Sequence, residues 1–346
     1  MPFELESVLR VLREEVAPRA EAIDQDPAAL EEALALLGRH EALALRRPHE
    51  FGGPALEGPD YARFQEATAR ASGALAFLQT QHQSAGAMLA ACENQALRRA
   101  YLPRMGSGAR RLGIGFGHLR RPGAPVVTVS EAPGGYRFRG ELPWVTGAGF
   151  FPEFVGAGLL PDGRAVFAVL PLVEAEGVTL GPPAELAVMQ VTRTVTVGLS
   201  DAFAPMARVV AVREPGWIHA VDRLSVRSRA HQALGCAQAG LDALERVASR
   251  SPGAPAALEA LRGELASCRA AVFGGPPSGT SDLEVRAWAI ELAARVGLAA
   301  VACASGSGVL RDRAPQRVYR EALAYTVLGQ SAEVRDATLA RLAARG

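Results

Sequence analysis

The chain contains no lysine: all 37 of its basic residues are arginine, set against 36 acidic ones. Without lysine there is neither a Schiff-base nucleophile nor the phosphate-binding lysine of a P-loop. The arginine-only composition reflects codon bias rather than chemistry. Net charge is scarce too, at +1, which leaves no basic field for nucleic acid or for an acidic membrane surface. The cysteines are few and far apart: Cys92, Cys236, Cys268 and Cys303 lack CxxC spacing and read as reduced residues that pack helices. No His, Cys or Asp cluster has metal-ligand spacing, and no serine sits in a G-x-S-x-G elbow. No apolar run reaches the roughly 18 residues of a membrane span, and the N-terminus lacks a basic-then-apolar leader pattern. The expectation is a soluble, cytoplasmic protein without metal, membrane or nucleic-acid partner. What the chain does have is 49% hydrophobic and 21% charged residues over 346 positions, enough for a large core and for two or three domains.

Helical periodicity fills the first part. Leu5, Val8, Leu9 and Leu12 recur at helical spacing, and residues 29–37, 59–72, 75–91 and 94–105 continue the pattern up to Gly106-Ser107-Gly108. From residue 112 short runs of Val, Phe, Leu and Thr alternate with turn pairs, predicting strands over 126–129, 136–138, 154–160, 165–170, 191–197 and 207–212. From Trp217 the helical pattern returns in four long segments, 224–249, 256–272, 282–304 and 316–344, with Pro/Gly-rich connections. This predicts an α+β multidomain chain: a helical domain over 1–111, an antiparallel β-barrel over 112–213 and a four-helix bundle over 214–346.

One stretch, residues 113–149, organises the rest. It ends on Pro143-Trp144-Val145-Thr146-Gly147, a flat indole two residues from a hydroxyl. In a strand residues two apart share a face, so Trp144 and Thr146 offer a stacking surface beside a hydrogen-bonding group, suited to a planar heteroaromatic ligand. The ordinary fate of a strand tryptophan is the core; the surrounding residues are what favour a ligand.

Those residues are Phe51-Gly52-Gly53 after the first helices, Tyr101-Leu102-Pro103 before the β segment, Trp144-Val145-Thr146-Gly147, Arg229, Gly306 with Gly308, and Arg320-Glu321-Ala322. In this order and spacing the chain resembles the acyl-CoA dehydrogenase superfamily of flavoproteins over nearly its whole length. The resemblance implies that Trp144 and Thr146 lie against the flavin ring, with Phe116 and His118 nearby. It assigns Arg229, Gly306 and Ser331 to the cofactor as well. It further implies FAD as cofactor, a small-molecule substrate such as acyl-CoA, and a homodimer or homotetramer that builds its cofactor site across subunits.

The departures from that pattern are specific. The family's Thr-Glu-Pro-Gly-Ala-Gly-Ser-Asp-like loop is replaced by residues 118–125, with Arg120-Arg121 in place of its carboxylates. Paired guanidiniums bind phosphate or carboxylate; the plainer expectation is a solvated pair on a surface loop. The diphosphate-binding Arg-Xaa-Xaa-Phe-Gly segment is reduced to Ser249-Arg250-Ser251-Pro252-Gly253, which leaves FAD, FMN and no flavin as alternatives. The family's catalytic glutamate falls on Gly329, and the minority position for it on Ser228. Glu321 and Glu333 are expected as solvated helix residues. His82, in the polar run Gln79–Ser84, is a candidate base or donor to a polar substrate; its plainer reading is an interhelical or surface histidine. His231 is expected to pack between helices.

Three functions are consistent with these residues. The first is an acyl-CoA dehydrogenase-like oxidoreductase with an unidentified base. The second is a flavin-dependent monooxygenase on the same fold, which needs no glutamate at Gly329 and which the Gln81-His82-Gln83 run favours. The third is a flavin-free scaffold or binding protein.

Overall fold

The computed structural model describes residues 3–344. Six helices open the chain: α1 Leu5–Val11, α2 Ala20–Gln25, α3 Pro27–Arg39, α4 Gly58–Ala71, α5 Gly73–Ala90 and α6 Gln95–Met105. Their ends follow capping chemistry. Asp26 accepts from the Ala28 N–H at 2.8 Å to start α3, and Asn94 starts α6 through the Leu97 N–H at 3.0 Å. Between α4 and α5 a single extended residue, Ser72, breaks the helix and caps the next one. The loop before α4 closes on itself: Gly52 has φ +75°, and a Cβ on Gly53 would lie 2.0 Å from the Arg47 carbonyl oxygen.

Eight strands then form one sheet: β1 Leu112–Gly115, β2 Val127–Ala132, β3 Gly135–Val145, β4 Glu153–Leu159, β5 Ala165–Pro171, β6 Val178–Leu180, β7 Val195–Pro205 and β8 Val209–Arg213. The order is β6-β7-β3-β2-β4-β5-β8, with β1 paired to β4 off this path. The sheet is mixed where the sequence predicts an antiparallel barrel: β1 runs parallel to β4, and β2 meets β4 in parallel at Thr128 and Leu159. β1 leaves through the 3₁₀ turn Gly117–Arg120 rather than a hairpin, so β1 and β2 enter alongside β4 in the same sense. The strand expected over 191–197 starts only at Val195, because Gln190–Thr192 is a 3₁₀ turn between two left-handed residues, Met189 and Arg193.

The last part holds α7 Trp217–Leu224, a 3₁₀ turn Arg227–Ala230, α8 His231–Val247, α9 Ala254–Gly274, α10 Asp282–Ala304, α11 Ala314–Tyr325 and α12 Ala332–Ala343. The single helix expected over 316–344 is thus two helices, broken at Gly329, whose φ is +57°. α10 and the turn after it contain a window of mean hydropathy 1.6, long and apolar enough to cross a membrane, yet half of that window is buried inside the protein. It is a bundle core helix rich in alanine, with Val285, Ile290, Leu292, Ala293 and Val296 facing inward. The bundle core also takes in Ala69 of α4 and Ala76 of α5, so the first helices and the last share one apolar interior.

Candidate functional site

Trp144 and Thr146 do not stand side by side. The pairing of β3 with β7 slips between Leu142 and Val145, and β3 ends there. Trp144 projects outward, 52% exposed, while Thr146 is buried with its hydroxyl 2.9 Å from that of Thr194. Such a break in the regular pairing re-aims a side chain that regular alternation would turn inward. Phe116 is buried edge-on against Phe167 at 5.4 Å, and Phe167 meets Trp217 at 5.2 Å, so Phe116 belongs to an aromatic core.

His118 sits in the 3₁₀ turn Gly117–Arg120, which packs between β3 and α7. It is buried, and its Nε2 has no hydrogen-bond partner. Burial, with the charge of Arg121 adding to it, lowers its pKa to about 4. The ring is therefore neutral near pH 7.

From the same turn Arg120 reaches Asp222 of α7, Nε and Nη2 each donating, at 2.7 and 3.0 Å. Arg121 is exposed, but Arg120 is not the solvated residue the sequence predicts. Asp222 also accepts from Arg229 Nη2 at 2.6 Å. Burial alone would raise the Asp222 pKa; Arg120 and Arg229 override it and hold the carboxylate below its usual range. Arg229 Nη1 then donates to the Gly329 carbonyl at 3.3 Å, and Arg286 Nη2 donates to the carbonyls of Leu328 and Gly329 at 2.9 and 3.0 Å. Burial depresses both cations, Arg286 to about 10. Asp222 and Arg286 escape sequence reading. The available signal was Arg286 itself, a charge on the buried stripe of an apolar helix.

The remaining expected residues lie elsewhere or do other work. Ser331 caps α12 through the Val334 N–H at 3.4 Å. Gly306 is exposed just beyond the far end of α10, about 30 Å along the helix from Arg286 at 1.5 Å per residue. One chain therefore does not bring Gly306 to Arg229. His82 is a clamp: its Nε2 donates to the Met105 carbonyl at 3.0 Å and its Nδ1 accepts from the Leu112 N–H at 3.0 Å. Gln83 likewise ties the loop residues Ala42 and Leu45 to α5. Within the polar run on α5, Gln81, His82 and Gln83 are thus bound to backbone, while Gln79 and Thr80 join the side chains of Gln65 and Gln232. Glu321 is not solvated but fully buried, taking two contacts from Arg317 at 2.8 and 2.9 Å and one from the Gly73 N–H at 3.0 Å. His231 packs edge-on against Phe273 at 4.9 Å, as expected, and Glu333 is exposed.

A flavin ring fits this surface in part. The outward indole of Trp144 and the unpaired Nε2 of His118 offer a stacking face and a polar contact, whereas the Thr146 hydroxyl is already engaged by Thr194.

The family model for the acyl-CoA dehydrogenase N-terminal domain matches residues 5–109. A 3-(aryl)acrylate reductase of Clostridium sporogenes is 24% identical over 238 residues, which span 66% of this chain and 63% of that relative. Butyryl-CoA dehydrogenase from Megasphaera elsdenii superposes with a TM-score of 0.75 at 17% identity, over 98% of this chain and 97% of that one. KijD3, solved with FMN and a dTDP-linked amino-keto sugar, superposes with a TM-score of 0.74 at 20% identity, over 98% and 92%. At these identities the structural likeness is one of fold.

Proposed function

We propose that this chain, whose residues 5–109 match the acyl-CoA dehydrogenase N-terminal domain and whose fold is that of butyryl-CoA dehydrogenase, is a flavin-dependent oxidoreductase. Its substrate is an acyl thioester or a related unsaturated acyl compound. The observation that carries this reading is the indole of Trp144, exposed on β3, the strand that packs against the turn that holds His118. A bound FAD or FMN supplies hydride transfer there. The chain's own part is to stack on the ring through Trp144 and to meet it with the neutral imidazole of His118. Arg229 reaches the same turn from the bundle side, through Asp222 and Arg120. A 3-(aryl)acrylate reductase among the relatives supports reduction of a conjugated double bond as the relevant direction. The distance from Gly306 to Arg286 along α10 supports a cofactor site completed by a second copy, hence a homo-oligomer.

A monooxygenase is the second reading, and one observation favours it. Gly329 carries no side chain, and the carboxylate of the adjoining cluster, Asp222, is neutralised by Arg120 and Arg229. A carboxylate held below its usual pKa is a poor base near neutrality, so α-proton abstraction by this group is disfavoured. Stopped-flow mixing of the flavin-loaded protein with acyl-CoA thioesters, and of its reduced form with cinnamate, tests the first reading through the flavin absorbance. Oxygen uptake with a reduced-flavin supply and added substrate tests the second. Absence of all three responses would contradict both.

A further inference from the structure

We propose that Arg286 and Arg229 form a binding site for the oxyanion of a small amphipathic ligand, where α10, the turn Arg227–Ala230 and the loop at Leu328–Gly329 meet. Two guanidiniums, Arg120 and Arg229, bond the carboxylate Asp222, and a third, Arg286, shares the Gly329 carbonyl with Arg229. Both oxygens of that carboxylate are taken, Oδ2 by Arg120 and Oδ1 by Arg120 and Arg229 together. Arg286 is left with carbonyl partners alone, although it is only 3% exposed. Among the described residues no acidic side chain pairs with it.

A buried cation without a counter-charge is strongly disfavoured, and holding two loop carbonyls does not require one. A neutral amide serves that purpose. Only the Nη2 of Arg286 is engaged, which leaves Nε and Nη1 for a ligand. Guanidinium groups meet carboxylate and phosphate oxygens with paired N–H donors, so an oxyanion is the complement of this floor. Gly329 lets both guanidiniums close on its backbone: a Cβ there would lie 3.2 Å from Arg229 Nη1 and 3.7 Å from Arg286 Nη2. Two exposed apolar side chains stand close in the chain to this floor. Leu224 follows Asp222 by two residues and is 90% exposed; Val327 precedes Gly329 by two and is 64% exposed. These apolar neighbours in the sequence suit a ligand that carries its oxyanion on an apolar body. The inference uses only this cluster and stands or falls apart from flavin binding.

Calorimetric titration of the full chain in low-chloride buffer tests it, with trans-cinnamate, its methyl ester and inorganic phosphate as probes. Cinnamate is expected to bind at least about tenfold more tightly than the uncharged ester, and Arg286→Gln to weaken it by about tenfold or more. Phosphate binding with the same dependence on Arg286 would support the oxyanion site and assign it to a phosphorylated ligand. Arg295→Gln, on the same helix but paired with Glu264 and Glu291, is expected to leave affinity unchanged. If Arg286→Gln does not fold, chloride competition on the unaltered protein decides: added chloride must weaken the anion and not the ester. Binding of neither anion, equal binding of acid and ester, or indifference to Arg286 would overturn the proposal.

Discussion

His118 and Glu321 show how far a side chain's surroundings set its role. His118 is neutral because burial and Arg121 push its pKa from 6.5 to about 4. The unfolded chain binds a proton between those values while the folded one does not, so stability is full above pH 6.5 and falls as pH drops toward 4. The effect is up to roughly 3 kcal/mol, and His82 and His231, shifted the same way by burial, add to it. Urea titrations across this range should give a shallower acid loss for His118→Asn than for the unaltered chain; equal slopes would refute the assignment. Glu321→Ala leaves Arg317 buried, with only a 3.4 Å contact to Glu21, and should cost about 3 kcal/mol in the same assay. A loss below about 0.5 kcal/mol, the range of ordinary surface changes, would mean that the pair is not closed in solution. The exposed fate of Glu333 was legible in the sequence and that of Glu321 was not, since both carboxylates lie on polar-looking helix segments. The difference comes from Gly73, where a Cβ would lie 2.6 Å from the Glu321 carboxyl carbon.

At the scale of elements, long periodic helices were the most legible part. α3 to α6, α9 and α10 stand within a few residues of their sequence patterns, because an apolar stripe at helical spacing has one way to be buried. Sheet connectivity was not legible: nothing local in Leu112–Gly115 says that β1 will pair in parallel with a strand 40 residues on. The break between α11 and α12 was hidden too, since a glycine inside a helical pattern is ordinarily tolerated. Here it takes a left-handed φ, and its carbonyl faces Arg229 and Arg286. The start of α10 carries Arg286 and is fixed by a capping box, Ser281 accepting from the Glu284 N–H while Glu284 accepts from the Ser281 N–H. Ser281→Ala is expected to destabilise the protein by about 1 kcal/mol. It should also speed hydrogen exchange in the first turn of α10 more than in its middle, and uniform exchange would count against the cap.

For the whole molecule, the helical–β–helical order and its likeness to flavoenzymes were readable from a handful of spaced residues. The site was readable only in part. Trp144 is presented outward, as a ligand-facing residue should be, but through a slip in β3 that no pattern of alternation forecasts. The arginine cluster joins a turn after β1, α7, the turn before α8, α10 and the α11–α12 loop, so it exists only once the sheet has docked on the bundle. The assembled surface is proposed to hold a flavin. The direct test is the visible absorption spectrum of the purified protein after incubation with FAD or FMN and desalting. Flavin bands are expected to stay with the protein and to be lost or sharply reduced in Trp144→Ala, with the variant's thermal unfolding little changed. A colourless protein that retains neither flavin would contradict it and leave a binding protein built on an enzyme's fold.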